Sequence, residues 1–196
     1  AENILYMLRD DNKYTKDEAE LLDSMLMVHA EHGGGNNSAF TARVVSSTGT
    51  DTSSAIAAAI GSLKGPKHGG ANERVVAMME DIKKNVSDWA DEDEVAAYIE
   101  KIINKKAFDN SGLVYGMGHA IYTLSDPRAV IIRNKAESVI KNNPEKLKEF
   151  NLYRLIEKLT PDIFRRIKGL DRPMCANVDL YSGFVYQTLG IPEELY

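Results

Sequence analysis

Apolar residues recur at helical intervals along nearly the whole chain, and this recurrence limits the fold more than any other feature. Val75, Met79, Ile82 and Val86 follow one another at steps of four, three and four. Val95, Ile99, Ile102 and Ile103 repeat the pattern behind acidic residues at 91–94, where the positive end of a helix favours them. Leu21, Leu22, Met25, Leu26 and His29 share one helical face. They follow Thr15 and Glu18, which have the spacing of a capping box, so His29 is expected near that helix's end, ahead of Gly33–Gly35. Asn36 or Asn37 can cap the next helix, through Ala42 and Val45. Residues Ser53–Leu63, rich in Ala and Gly, read as a helix packed closely on others. Asp126-Pro127, Asn143-Pro144 and Thr160-Pro161 each place a polar cap before a proline, the pattern of a helix start. Strand-like alternation is confined to Leu113–Tyr115 and Ala120–Tyr122. The expectation is an all-α fold with loops at 33–37, 64–71, 109–126 and 168–178.

Composition narrows the class further. With 196 residues, 43% hydrophobic and 27% charged, the chain can bury a core as one domain or two small ones. A single cysteine cannot form an internal disulfide, which favours a reducing, cytoplasmic setting. No apolar run approaches the roughly 20 residues of a membrane span, and the first ten residues lack the character of a secretory signal. A net charge of −5 argues against nucleic acid as a partner while leaving room for a local basic pocket for a phosphorylated ligand. The start at Ala1 suggests that the chain begins inside a longer protein.

All four histidines lie in or beside glycine-rich loops, where backbone N–H groups are free to meet a ligand. His29 and His32 have helical i, i+3 spacing. A metal pair is one reading, but zinc wants further ligands, and Cys175, His68 and His119 are remote in sequence, so no metal is assigned. His68, in Gly65-Pro66-Lys67-His68-Gly69-Gly70-Ala71-Asn72, precedes a helix start whose positive end disfavours imidazolium. It is either a neutral donor suited to enolisation or a loop histidine without chemistry. Gly116-Met117-Gly118-His119 is followed by Arg128 in the first turn of a helix. That arginine is either a carboxylate clamp or a solvated charge. Asp179, in Asn177-Val178-Asp179-Leu180-Tyr181-Ser182-Gly183, is either a helix cap or a carboxylate base. Cys175 reads as a small buried residue. Two histidines, an aspartate and an arginine on separate loops would suit proton abstraction beside one carbonyl and polarisation of another.

These four motifs, with His29-Ala30-Glu31-His32-Gly33-Gly34-Gly35-Asn36 the first, resemble those of the citrate synthase family in the family's order. The resemblance implies condensation of acetyl-CoA with oxaloacetate followed by thioester hydrolysis. It also implies an all-helical homodimer whose large and small domains close over the substrates. By resemblance, Asp179 is the base at the acetyl methyl group, His68 stabilises the enolate oxygen and His119 polarises the oxaloacetate carbonyl. His32 and Arg128 would hold oxaloacetate, with Asn36 close by. Leu113, Val114, Gly116, Met117, Gly118 and Asn177 would meet CoA, which serves as substrate; no permanently bound cofactor is implied.

Many relatives have Asp where Glu31 stands and Glu where Gly33 stands, a difference expected to be structural only. The extent of the likeness implies a fragment: large-domain segments at 1–69 and 185–196 around a small domain at 70–184. Two downstream arginines that relatives use on the substrate carboxylates are not in the chain, so the isolated fragment is expected to be poorly active. Two alternatives remain open. One is a 2-methylcitrate synthase using propionyl-CoA; the other is a non-catalytic dimerising or CoA-binding module.

Overall fold

Helix boundaries follow the capping chemistry closely. The computed structural model describes residues 1–30, 36–65, 69–119, 122–169 and 173–195. Among them run α1 (Glu2–Leu8), α2 (Lys16–His29), α3 (Asn37–Ser46), α4 (Thr52–Leu63), α5 (Ala71–Asn85), α6 (Glu92–Ile103), α7 (Pro127–Ile140), α8 (Pro144–Lys168) and α9 (Val178–Thr188), with a 3₁₀ turn at Glu193–Leu195. No strand occurs among the described residues; the segment 113–115 is irregular, and the isolated bridge pairs Met117 with Ala176. Residues 120 and 121 of the second strand candidate lie outside the described residues. The chain divides into two compact units, Ala1–Met25 with Asn72–Tyr196, and Leu26–Ala71.

In the larger unit the Thr15–Glu18 capping box forms as expected. The Thr15 N–H donates to Glu18 Oε2 at 2.7 Å and the Glu18 N–H to Thr15 Oγ1 at 3.2 Å. Glu18 also receives Arg9 at 2.7 Å, and Arg9 donates to the Leu189 carbonyl at 2.8 Å, tying α1 and α2 to the end of α9. Asp91, Asp126 and Asn143 cap α6, α7 and α8 through their side chains. The core is the set of periodic positions: Val75, Met79 and Ile82 of α5 and Val95, Ile99, Ile102 and Ile103 of α6 are all fully buried. Phe150 and Tyr153 of α8 meet Tyr181 and Phe184 of α9, with the Phe150 and Tyr153 rings each 5.3 Å from that of Phe184. Each such aromatic contributes about 1.5–3 kcal/mol by leaving water.

Thr160-Pro161 does not start a helix. Pro161 lies inside α8, and the Thr160 hydroxyl donates back to the Ile156 carbonyl at 2.7 Å. The buried stripe Tyr153, Ile156, Thr160, Ile163 continues across the proline at helical spacing, so core burial overrides the local stop signal. In the smaller unit Asn36, rather than Asn37, caps α3 by accepting from the Ala39 N–H at 3.0 Å. Here α3 packs on α4, and Asn37 donates to Ser62 at 2.8 Å. The close packing expected along Ser53–Leu63 is met at Ala55, whereas Ile56 and Ile60 are more than half exposed. Leu26 of α2 is likewise 45% exposed, although its periodicity matches buried Leu22 and Met25.

Gly183 lets α9 lie against the first turns of α5. A Cβ there would stand 2.6 Å from Val76 Cγ2 and 3.3 Å from the Asn72 carbonyl oxygen. Replacing Gly183 with Val should therefore cost about 1–3 kcal/mol of stability through overpacking. Urea unfolding tests this, and a midpoint equal to that of the unsubstituted chain would contradict the close approach.

Candidate active site

The turn at 116–118 is held against the N-terminal end of α9 by backbone and side-chain hydrogen bonds. The Gly118 N–H donates to the Cys175 carbonyl at 2.7 Å, and the Asn177 N–H to the Gly116 carbonyl at 2.9 Å. Asn177 caps α9 by accepting from the Asp179 N–H at 3.0 Å, and its Nδ2 donates to the Gly118 carbonyl at 2.9 Å. Gly116 has φ +80°, and a Cβ on it would lie 2.8 Å from Leu180 Cα, so both its conformation and its contact require glycine. Val114 accepts from the Met117 N–H at 3.2 Å and is buried, whereas Leu113 is exposed. The preceding turn holds Lys105, Phe108 and Asn110 in the left-handed region, strain of about 1–3 kcal/mol each. Tyr115 braces that turn through a 2.7 Å hydrogen bond to Asp109 and an edge contact with Phe108.

His119 follows this turn. Its Nδ1 accepts the Tyr122 N–H at 3.0 Å. Its Nε2 lies 3.3 Å from Nη2 of Arg128, a group that can only donate, and the Tyr122 ring stacks at a tilt 4.7 Å from the imidazole. Arg128 is not a solvated surface charge: its side chain is only 14% exposed and forks onto the buried Asp126 carboxylate at 3.0 and 2.8 Å. The Asp126 hydrogen bonds, then its charge, hold the Arg128 guanidinium above its ordinary basicity, and Asp179 adds to the same effect. Burial alone would raise Asp126, but the hydrogen bonds and charge of Arg128 outweigh it and keep the carboxyl below the ordinary aspartate range.

Asp179 is half-buried in the first turn of α9. The cap position belongs to Asn177, so the cap reading of Asp179 falls. Its charge reaches Arg128 and, after burial as the main cause, helps raise the Tyr186 hydroxyl. His119, Arg128, Asp179 and Asn177 thus gather where the turn at 116–118 meets α9. Asn36 sits in the smaller unit as the α3 cap. His32 and His68 lie outside the described residues. Cys175 is buried, donates to the Tyr122 carbonyl at 3.4 Å, and burial raises its thiol above its ordinary value. No cluster of three potential metal ligands occurs among the described residues.

Three neighbours escape sequence reasoning. Asp126 is legible as a cap but not as the Arg128 partner, because an i, i+2 pair has no periodic signature. Tyr122, three residues from His119, carries only a weak proximity signal. Glu157 of α8 receives both the Arg133 guanidinium at 3.0 Å and the buried Tyr181 hydroxyl, bracing the helix that bears Asp179. No local pattern announces that long-range triad.

The architecture defines an all-α protein with a guanidinium and a carboxylate in the first turns of α7 and α9 and an imidazole on the loop between α6 and α7. The profile of the citrate synthase C-terminal domain matches residues 1–196. A curated citrate synthase from Deinococcus radiodurans is 39% identical over 196 residues, all of this chain and 47% of that protein. A crystal structure of citrate synthase from Pyrobaculum aerophilum superposes with a TM-score of 0.78 at 30% identity, covering 100% of this chain and 44% of that one. Citrate synthase from Thermoplasma acidophilum, solved in a ternary complex with carboxymethyl coenzyme A and oxaloacetate, superposes with a TM-score of 0.71 at 31% identity, covering 92% of this chain and 43% of that one. The chain belongs to the citrate synthase family. It spans about half the length of the curated relatives it matches.

Removing one partner of the buried Asp126–Arg128 pair leaves an uncompensated charge. Asp126→Asn should therefore cost about 3 kcal/mol near neutral pH. A lowered carboxylate contributes stability above its unfolded pKa, about 4, and loses it as pH falls through the lower folded value. The gap between the two proteins should accordingly narrow below about pH 4. Urea titrations from neutral to acid pH check this; a gap independent of pH would count against the pairing.

Proposed function

We propose that the protein carrying this chain condenses acetyl-CoA with oxaloacetate, releasing citrate and CoA. The observation that carries this reading is the docking of the turn at 116–118 on α9 through Asn177, with Arg128, which lies against His119, within the field of Asp179. The Asp179 carboxylate takes a proton from the acetyl methyl group. The electron pair moves into the thioester, whose oxygen His68 steadies by hydrogen bonding; that role rests on the sequence motif. The enolate carbon then attacks the oxaloacetate ketone, polarised by His119, and the new alkoxide is protonated. Water finally cleaves the citryl thioester, giving citrate and CoA.

A thioester methyl group is a very weak acid, so Asp179 can act only if donors are already aimed at the forming enolate in a closed site. With Nδ1 taken by the Tyr122 N–H, Nε2 is the edge of His119 that can meet the oxaloacetate carbonyl. Arg128 and His32 hold oxaloacetate, with Asn36 close by. Leu113, Val114, Gly116, Met117, Gly118 and Asn177 contact CoA, and the left-handed residues ahead of Leu113 support a turn shaped for a ligand. The protein works as a cytoplasmic homodimer. Phe40, Val44, Ile56, Ile60 and Leu63 of the smaller unit, all substantially exposed, support self-association.

In the full-length protein, Asp179→Asn and His119→Ala should each lower turnover about 10²–10⁴-fold with helicity unchanged. Retention of normal citrate formation by either variant would remove that residue from the mechanism. Parallel assays with acetyl-CoA and propionyl-CoA identify the acyl donor, and faster turnover of propionyl-CoA would overturn the acetyl assignment.

A further inference from the structure

A groove of about 570 Å³, none of whose lining residues has been given a part in the condensation, lies between the segment before α6 and helices α7 and α8. Its volume falls in the range of small-molecule sites. Its walls carry four cations, Arg133, Lys148, Arg154 and Lys158, against one carboxylate, Glu157, although the whole chain bears a net charge of −5. The wall also includes Trp89, the single tryptophan of the sequence.

The state of each cation matters. Arg133 is engaged by Glu157 at the inner end. Arg154 and Lys158 pair with Glu137 and Glu92 at 2.8 and 2.6 Å, but both pairs are largely exposed, where such contacts are weak and readily exchanged. Lys148 has no carboxylate within ion-pair distance among the described residues; its Nζ rests over the Trp89 ring, 5.0 Å from the centroid. Positions 148 to 158 span about 15 Å of helix, so the cations of α8 form a row rather than a point. A row suits an extended anion better than a single carboxylate, and arginine forks with lysine ammonium groups suit phosphate oxygens.

We propose that this groove binds a polyphosphate chain, with Arg154 and Lys158 exchanging their rim glutamates for phosphate oxygens and Lys148 closing from the Trp89 side. The site is independent of the condensation chemistry and would stand if that reading failed.

Trp89 supplies the readout. Tripolyphosphate titrated into the 196-residue chain at constant ionic strength should change its fluorescence saturably, with a matching heat by calorimetry. The double variant Arg154→Gln/Lys158→Gln, which leaves Lys148 and Trp89 in place, should bind at least tenfold more weakly with unchanged far-ultraviolet circular dichroism. Substituting a nucleoside triphosphate for tripolyphosphate should retain the dependence on Arg154 and Lys158, because the phosphates carry the recognition. A linear response, an equal response to sulfate at the same ionic strength, or undiminished binding by the folded double variant would overturn the proposal.

Discussion

Everything at the candidate site depends on one hydrogen-bonded junction, where the turn at 116–118 rests on the start of α9. Asn177 serves both sides of it, accepting from the Asp179 N–H and donating to the Gly118 carbonyl. Gly116 makes the junction possible by adopting a positive φ in contact with the backbone at Leu180. With the junction in place, a histidine just after the turn and a carboxylate just inside the helix are neighbours without being close in sequence. Without it, they would be two unrelated polar residues on a helical scaffold.

Two ion pairs around the junction give it rigidity. Asp126 neutralises Arg128 and at the same time caps α7, so the position of the guanidinium is set by the helix start itself. Glu157 joins Arg133 to the Tyr181 hydroxyl, locking α9 to α7 and α8 from the opposite side. Burial chiefly, and then the Glu157 hydrogen bond, raises the Tyr181 hydroxyl far above its ordinary pKa, so it remains a neutral donor throughout the physiological range. These charges are arranged in pairs, Arg128 with Asp126 and Arg133 with Glu157, whose members are fixed by helices or their caps.

Much of this was legible in the residue pattern. The capping box at Thr15 and Glu18, two of the three cap–proline starts, and the apolar stripes of α5 and α6 are local signals with local consequences. Thr160-Pro161 carries the same local signal as the true starts, and only burial of Tyr153, Ile156 and Ile163 on one continuous stripe distinguishes it. The exposed Leu26, Ile56 and Ile60 show the converse: periodicity identifies an apolar face, not what covers it. At the site, His119, Arg128 and Asp179 could be singled out by their glycine and helix-start surroundings. Their grouping could not, because the bonds that create it join residues such as Gly118 and Cys175, far apart in sequence.

The double engagement of Asn177 has a mechanical consequence. The turn cannot slide along α9 without uncapping the helix, and α9 cannot fray at its start without releasing the turn. The two elements are thus coupled through one side chain, and loosening either of them loosens the other.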